Sequence, residues 1–587
     1  MEQNLARVEE LTQRLLAAMA GKRQVRPSLQ GPGQQLYLKA AQAWWQDMAR
    51  NPAKLIEQQV EFWGESVKHY AEASQELMKG RFHAPPEEEA GPGPRDKRFA
   101  NPLWDSHPWF NYVKQQYLAN ARAIETAVAE TEGLDAGERK RLTYFSRQIV
   151  DMMAPTNFLA TNPDALEKAV ETEGQSLIDG LENLIADLEA NDGELVVNLA
   201  DKSAFEVGRN IATTPGEVVF RNRLFELIQY APATEQVHQT PIVLFPPWIN
   251  KFYILDLKPQ NSFIRWVVEQ GYTLFVVSWV DPDAEYARTS MTDYVEEGYL
   301  EAIAQVKSIC GVKKVNAIGY CIAGTTLALT LAVMKARGDA SVKSATFFTT
   351  LTDFSDQGEV GVFLDDDFVD GIEAEVAENG YLDKFYMART FSFLRSNDLI
   401  YQPAIRSYMM GEAPPAFDLL YWNGDGTNLP ATMAVEYLRG LCQQDRFANG
   451  TGFEVAGETV HLKDVTVPVC GIACETDHIA AWRSSYRGIG RMGSRDKTFL
   501  LSGSGHIAGI VNPPAKRKYG WRSHDDLSLP PDEWYAAATP QEGSWWPRWE
   551  EWLAPRSGRM VPARDPGDPA HPPLAPAPGR YVKGRAA

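Results

Sequence analysis

Ala317-Ile318-Gly319-Tyr320-Cys321-Ile322-Ala323-Gly324-Thr325-Thr326 joins a short apolar strand, entered through Lys314-Val315-Asn316, to a run of good helix formers, Leu327-Ala328-Leu329-Thr330-Leu331-Ala332-Val333-Met334. A small-residue turn between a buried strand and a helix, with one thiol at its apex, has the layout of a nucleophile elbow, G-x-S-x-G, with Cys in place of Ser. Such a turn must be tight, so the positions two before and two after the nucleophile must be small. Gly319 and Ala323 fill them, and Ala323 is the departure from strict Gly. At the N-terminus of the following helix the dipole favours a thiolate. Taken alone, the stretch could also hold a buried structural Cys in an ordinary strand-to-helix turn, because free Cys is often buried, though the elbow is the stronger reading.

The flanking sequence repeats the same alternation. Upstream, Val218-Val219-Phe220 and Phe225 to Tyr230 read as a hairpin, Pro241 to Phe245 and Tyr272 to Trp279 as strands, and Ser262 to Glu269 and Asp293 to Ser308 as helices. Downstream, Lys343 to Thr350 is the next strand. Strands alternating with helices imply a largely parallel sheet with right-handed crossovers, whose chemistry lies at the carboxyl ends of the strands. The alternation breaks at Leu351 and resumes at Val467, so residues 351–466 read as an insertion, either a cap that keeps water out of the site or a decoration of the fold.

After the insertion, the strand Val467 to Ile472 leads into Cys474-Glu475-Thr476-Asp477-His478. The final strand of the sheet, Lys497 to Leu501, leads into Ser502-Gly503-Ser504-Gly505-His506. Thiol, acid and histidine therefore follow successive strand ends in the chain order of the α/β-hydrolases. Cys321, Asp477 and His506 are the expected catalytic set; His478 competes, but its loop follows the strand where the acid belongs. The expected oxyanion donors are the backbone N–H of Ile322, the residue after the nucleophile, and one from the loop Phe245 to Lys251. There Pro246 and Pro247 have no N–H, so Trp248 comes first and Ile249 next.

Residues 1–205 read as an all-helical N-terminal domain, with helices expected at about 36–49, 55–78, 109–130, 136–153 and 166–188 and a Pro/Glu-rich linker at 83–94. Residues 206–556 form the expected catalytic domain. Residues 557–587, rich in Pro, Gly, Ala and Arg, read as a tail that cannot form a core. The chain has 587 residues, 77 acidic and 58 basic, for a net charge of −19, which argues against non-specific nucleic-acid binding and requires a local basic pocket for any anionic substrate. The N-terminus lacks the apolar segment of a signal peptide, and no stretch has the 18 or more apolar residues of a membrane helix, so the cytoplasm is the default compartment. Five scattered Cys make no disulfide framework, and Cys470 and Cys474 read as strand-end packing residues. Many of the sixteen Trp lie toward the two ends, which suggests an apolar contact surface.

Gly319 to Gly324 resembles the Cys-containing lipase-like box of the polyhydroxyalkanoate synthases. Pro246 to Leu257, Thr349 to Phe354, Tyr421 to Asp425, Ser504 to Gly509, Gly543 to Pro547 and the closing Pro576 to Lys583 resemble further blocks of the same family. The single-chain length and the closing motif resemble class I, the short-chain type; residues 1 to about 80 match less clearly. The resemblance implies an α/β-hydrolase fold with a cap insertion behind an all-helical domain. It also implies polymerisation of (R)-3-hydroxyacyl-CoA, 3-hydroxybutyryl-CoA above all, into polyester with release of CoA. Cys321 would carry the acyl chain, with His506 as base and Asp477 completing the site. No cofactor is implied beyond the CoA that the substrate carries and loses, and no metal. A homodimer on cytoplasmic polyester granules is implied, with the N-terminal domain in dimer and granule contacts. The alternatives are a Cys-dependent thioesterase or polyester hydrolase, which needs the same three residues but admits water, and a granule-coating scaffold on an inactive hydrolase fold.

Overall fold

In the computed structural model the elbow strand Val315–Tyr320 stands inside an eleven-stranded sheet, buried along its whole length. The structure describes residues 2–20, 26, 29, 42, 71 and 96–584. The helices expected at 36–49 and 55–78 and the linker at 83–94 lie outside the described residues. Among the described residues, no helix is long and apolar enough to cross a membrane. The chain divides into two units, residues 1–201 with 392–415 and residues 202–391 with 416–587.

In the first unit, Pro108–Glu130 and Ala136–Met152 are helices. Asp135 caps the second of them in a capping box with Glu138. The single helix expected at 166–188 is two, Pro163–Glu171 and Gln175–Ala190. They part at Glu173 and Gly174, which both take positive φ, a conformation a continuous helix cannot hold. Segment 392–415, expected within the insertion, clusters with this unit instead. Gln175–Ala190 explains why: Tyr408 donates to Asp187 at 2.7 Å, and a Cβ on Gly180 would lie 2.1 Å from the Tyr408 carbonyl oxygen. Arg98 is half-buried between Asp96 and Asp151, at 2.8 and 2.9 Å, beside the packed rings of Phe99, Trp104 and Tyr117.

The sheet belongs to the second unit. Its strands are β1 (Gly216–Arg221), β2 (Phe225–Tyr230), β3 (Ile242–Phe245), β4 (Leu274–Trp279), β5 (Val315–Tyr320), β6 (Val342–Phe348), β7 (Val469–Cys474), β8 (Lys497–Ser502), β9 (Trp521–Ser523), β10 (Thr539–Gln541) and β11 (Ala575–Pro576). Their order is β10-β9-β8-β7-β6-β5-β3-β4-β2-β1-β11. Strands β4, β3, β5, β6, β7 and β8 run parallel, with Ile318 of β5 opposite Leu244 on one side and Thr346 on the other. The remaining pairs are antiparallel. β3 to β8 are almost wholly buried apolar runs, as parallel strands covered on both faces must be. Helix Ile322–Ala336 is buried from Ile322 to Met334, which accounts for its lack of a polar face.

Three expectations change here. Lys497 to Leu501 is not the last strand of the sheet, because β9 and β10 continue it antiparallel. Both are three-residue strands without an apolar run and leave little sequence signal. The aromatic C-terminal segment is not a contact surface: Trp545, Trp546 and Trp549 are fully buried against Phe263 and Phe348, and Trp549 Nε1 donates to Thr346 at 3.0 Å. Residues 557–584 are not a free tail. β11 pairs with β1, Met560–Pro562 pairs with Gln236–His238, and Val582 is buried in the core. The segment needs no core of its own because the buried Glu226 carboxylate accepts the N–H groups of Arg580 and Tyr581, each at 2.9 Å. Gly579 has φ of +79°, and a Cβ there would lie 2.4 Å from Glu226 Oε2.

Candidate active site

β5 ends at Tyr320, and the chain turns on Cys321 with φ 54° and ψ −126° before Ile322 opens the helix. Positive φ at a residue with a Cβ costs on the order of 1–3 kcal/mol and persists only where the surroundings impose it. Here the Cys321 N–H donates to Phe348 O at 2.8 Å across to β6, and Gly324 N donates back to Cys321 O at 2.9 Å. A Cβ on Gly319 would lie 2.5 Å from Gly324 Cα, and one on Gly324 would lie 2.0 Å from Thr350 Oγ1. The tightest positions are therefore 319 and 324. Ala323, the residue where the motif has Gly, is fully buried, and its carbonyl accepts from Tyr299 Oη at 2.8 Å. The turn tolerates its methyl group because the close approach falls one residue later.

The loops after β7 and β8 bring Asp477 and His506 together. His506 Nδ1 lies 2.7 Å from Asp477 Oδ2. Asp477 Oδ1 accepts the backbone N–H groups of Ile479 and Ala480 at 2.8 and 2.9 Å. The Asp477 side chain is fully enclosed, and His506 is buried with its carbonyl accepting from Tyr320 Oη at 3.2 Å. Burial disfavours the imidazolium, but the Asp477 carboxylate and Cys321 outweigh it and hold His506 well above the ordinary His range. His506 also shares a side-chain hydrogen bond with Cys321. Asp477 engages His506 through Oδ2. Among the other thiols, burial pushes Cys442 up to about 12, and Cys470 and Cys474 are raised by burial as well.

Cys321 lies on the wall of an apolar cavity of about 120 Å³. Ile249, Ile322 and Thr325 come from the hydrolase frame; Phe354, Phe363, Leu382 and Tyr437 come from the insertion. Of the expected oxyanion pair, Ile322 lines this cavity, while the buried Trp248 turns its indole Nε1 to Thr326 Oγ1 at 3.2 Å and its neighbour Ile249 faces the cavity. The cavity itself had no distinguishing mark in the sequence, since an aromatic residue in an insertion reads the same whether it packs or lines. A thiol, a histidine that can take its proton, a carboxylate fixing that histidine and an apolar pocket for an acyl group are together what acyl transfer through a thioester requires.

A sheet with a parallel centre and an elbow at the end of β5, followed by acid and histidine at later strand ends, defines an α/β-hydrolase fold. The family described as "alpha/beta hydrolase fold" matches residues 245–513, and that described as "Poly-beta-hydroxybutyrate polymerase (PhaC) N-terminus" matches residues 95–267. The chain is 43% identical over 549 residues to the poly(3-hydroxyalkanoate) polymerase of Methylorubrum extorquens, covering 93% of this chain and 89% of the relative. It is 39% identical over 578 residues to the poly(3-hydroxyalkanoate) polymerase subunit PhaC of Cupriavidus necator, covering 97% and 91%. It is 39% identical over 548 residues to the subunit of that name from Rhizobium meliloti, covering 93% and 88%. The structure of a Paleococcus ferrophilus monoacylglycerol lipase is 12% identical, covers 48% of this chain and 90% of its own, and has a TM-score of 0.30. The chain belongs to the poly(3-hydroxyalkanoate) polymerase family, enzymes of the polyester-forming acyltransferase class.

Proposed function

We propose that this chain polymerises (R)-3-hydroxyacyl-CoA, with 3-hydroxybutyryl-CoA as the favoured monomer, through a thioester on Cys321 and with release of CoA. The observation that carries the reading is the meeting of Cys321, His506 and Asp477, with Cys321 on the wall of a small apolar cavity lined in large part by the insertion. His506 Nδ1 is engaged by Asp477, so Nε2 takes the Cys321 proton. The sulfur attacks the thioester carbonyl, the bond from that carbon to the CoA sulfur breaks, and CoA leaves with the proton from His506. His506 then takes the proton of a 3-hydroxyl, whose oxygen attacks the Cys321 thioester; the oxygen ester forms and the thiol is restored. The first exchange swaps one thioester for another and is nearly isoenergetic; the second, thioester to oxygen ester, runs downhill. The N–H groups of Ile322 and of Trp248 or Ile249 serve as donors to the tetrahedral oxyanion. Asp477 serves as the orienting group in both halves, since a fully enclosed carboxylate with both oxygens engaged has no path to a substrate hydroxyl.

An apolar cavity wall supports polymerase over hydrolase chemistry, because it disfavours the water that would hydrolyse the acyl-enzyme. The reading extends to a cytoplasmic homodimer attached to polyester granules, which sedimentation of the purified chain alone and with granules tests. The activity is tested with two substrates. With 3-hydroxybutyryl-CoA the purified chain releases CoA continuously as the solution turns turbid. With butyryl-CoA, which lacks the hydroxyl, it releases at most one CoA per site. Steady release of free acid from both, without turbidity, would replace the polymerase by a thioesterase.

A further inference from the structure

The loop after β3 that carries Trp248 and Ile249 is stitched to the insertion by a set of contacts with no part in the chemistry above. Thr427 N–H donates to Ile249 O at 2.9 Å, and Asn250 bridges Gly426 in antiparallel fashion. Trp422 Nε1 donates to Lys251 O at 2.7 Å, and Tyr253 Oη donates to Asp425 Oδ2 at 2.8 Å. Asn428 N–H donates to Asp281 Oδ1 at 2.9 Å, and Lys384 Nζ lies 3.7 Å from Asp281 Oδ2. At the centre sits Lys251, 4% exposed, whose Nζ is buried without a hydrogen bond among the described residues. Burial pushes the Lys251 ammonium down from its ordinary value; Asp281 and Asp425 offset this in part, and Lys384 adds to it. Lys251 is thus a buried cation between two partly buried carboxylates, with Lys384 exposed at the edge. It stands two residues along the chain from Ile249, which itself faces the Cys321 cavity.

A buried charge paired with carboxylates contributes little net stability against apolar replacements, because desolvation consumes most of the attraction, but separating it from them leaves a buried charge uncompensated. We propose that Lys251 and Asp425 form a latch that fixes the 246–251 loop against the insertion and so aims its backbone N–H at the oxyanion. Both are positioning residues: they act through Trp248 and Ile249 and touch no reacting atom. Oxyanion donors must stand within a few tenths of an ångström of their place to be effective, and loss of one costs about 10²–10³ in kcat in enzymes of this kind. This inference rests on the acyl-transfer reading of Cys321.

The test compares Lys251→Met, Asp425→Asn, the double variant and Tyr253→Phe in the full-length chain. Acyl transfer is followed by CoA release from 3-hydroxybutyryl-CoA. Alkylation of Cys321 by iodoacetamide, which builds no oxyanion, is followed in parallel. The latch requires kcat to fall about 10- to 100-fold in each of the first two variants with KM within about twofold. It requires the double variant to be no worse than the poorer single one, and the alkylation rate to stay at the wild-type value. Tyr253→Phe, which removes one hydrogen bond and no charge, shows a smaller fall in the same direction. Unchanged kcat overturns the latch, as does a parallel loss of alkylation or an additive double variant. If the wild-type chain does not turn over hydroxyacyl-CoA, the polymerase reading fails. The latch is then judged by the same criteria on the p-nitrophenol burst from p-nitrophenyl butyrate, which needs the same oxyanion donors.

Discussion

His506 Nδ1 lies 2.7 Å from Asp477 Oδ2, and the other Asp477 oxygen accepts two backbone N–H groups, so the carboxylate is fixed on both sides and can hold the imidazole in one orientation. Removing either partner therefore has different consequences. His506→Gln deprives Cys321 of its base and should block acylation. Asp477→Asn leaves the imidazole in place and should acylate slowly, because a thiol needs less help than a hydroxyl, and then stall at elongation. Rapid-quench trapping should find enzyme-bound acyl in Asp477→Asn and almost none in His506→Gln. Equal trapping in the two contradicts this division.

The same pair makes stability depend on pH. His506 is held well above the ordinary His range in the folded chain. A raised folded pKa contributes stability that is complete below the unfolded value of about 6.5 and is lost as pH rises through the folded value. The difference in unfolding temperature between wild type and His506→Gln should be largest near about pH 6 and shrink toward alkaline pH. A difference that grows with pH would show the imidazole to be buried neutral.

Cys321→Ala should abolish CoA release and leave the fold intact, since Cys442, the other thiol lining the cavity, is pushed up to about 12 by burial and held as the thiol. Cys470→Ala, in the middle of the sheet, removes a buried sulfur and should lower stability by on the order of 1 kcal/mol with activity retained. Activity surviving in Cys321→Ala would move the nucleophile elsewhere.

The elbow offers a sharper steric test. Gly324→Ala puts a methyl group 2.0 Å from Thr350 Oγ1, and should cost about 1–3 kcal/mol and most of the activity. Thr350→Ala in the same chain removes the two nearest atoms and should recover part of both. Ala323→Gly, at the motif position itself, should change little in comparison.

Deleting residues 557–587 removes β11, the strand Met560–Pro562 and the partners of Glu226, leaving that buried carboxylate with Arg221 alone. The truncated chain should unfold at a lower temperature and bind a hydrophobic dye more strongly. An unchanged unfolding temperature would return the segment to the status of a tail.

Much of this molecule was present in local sequence. The parallel strands, the Cys321 turn and the order of Asp477 and His506 are written as apolar runs ending in small or polar residues, because a strand buried on both faces has no other composition available to it. What sequence could not carry were relations between distant segments. Glu226 binds the N–H groups of Arg580 and Tyr581, more than 350 positions away by the numbering, so a Pro- and Gly-rich segment that looks unstructured finds its partners on a finished sheet edge. Gly324 is needed because of Thr350, not because of its place in the motif, and the tryptophans at 545–549 are core because helix Phe263–Glu269 and β6 leave a space of their size. Residue type and spacing determined which groups stand at the strand ends and hence the chemistry available to the chain. Only the folded chain decided which aromatic residues wall the cavity and which loops are held against one another. Those outcomes depend on the shapes and unpaired polar groups that meet when segments far apart in sequence are brought together.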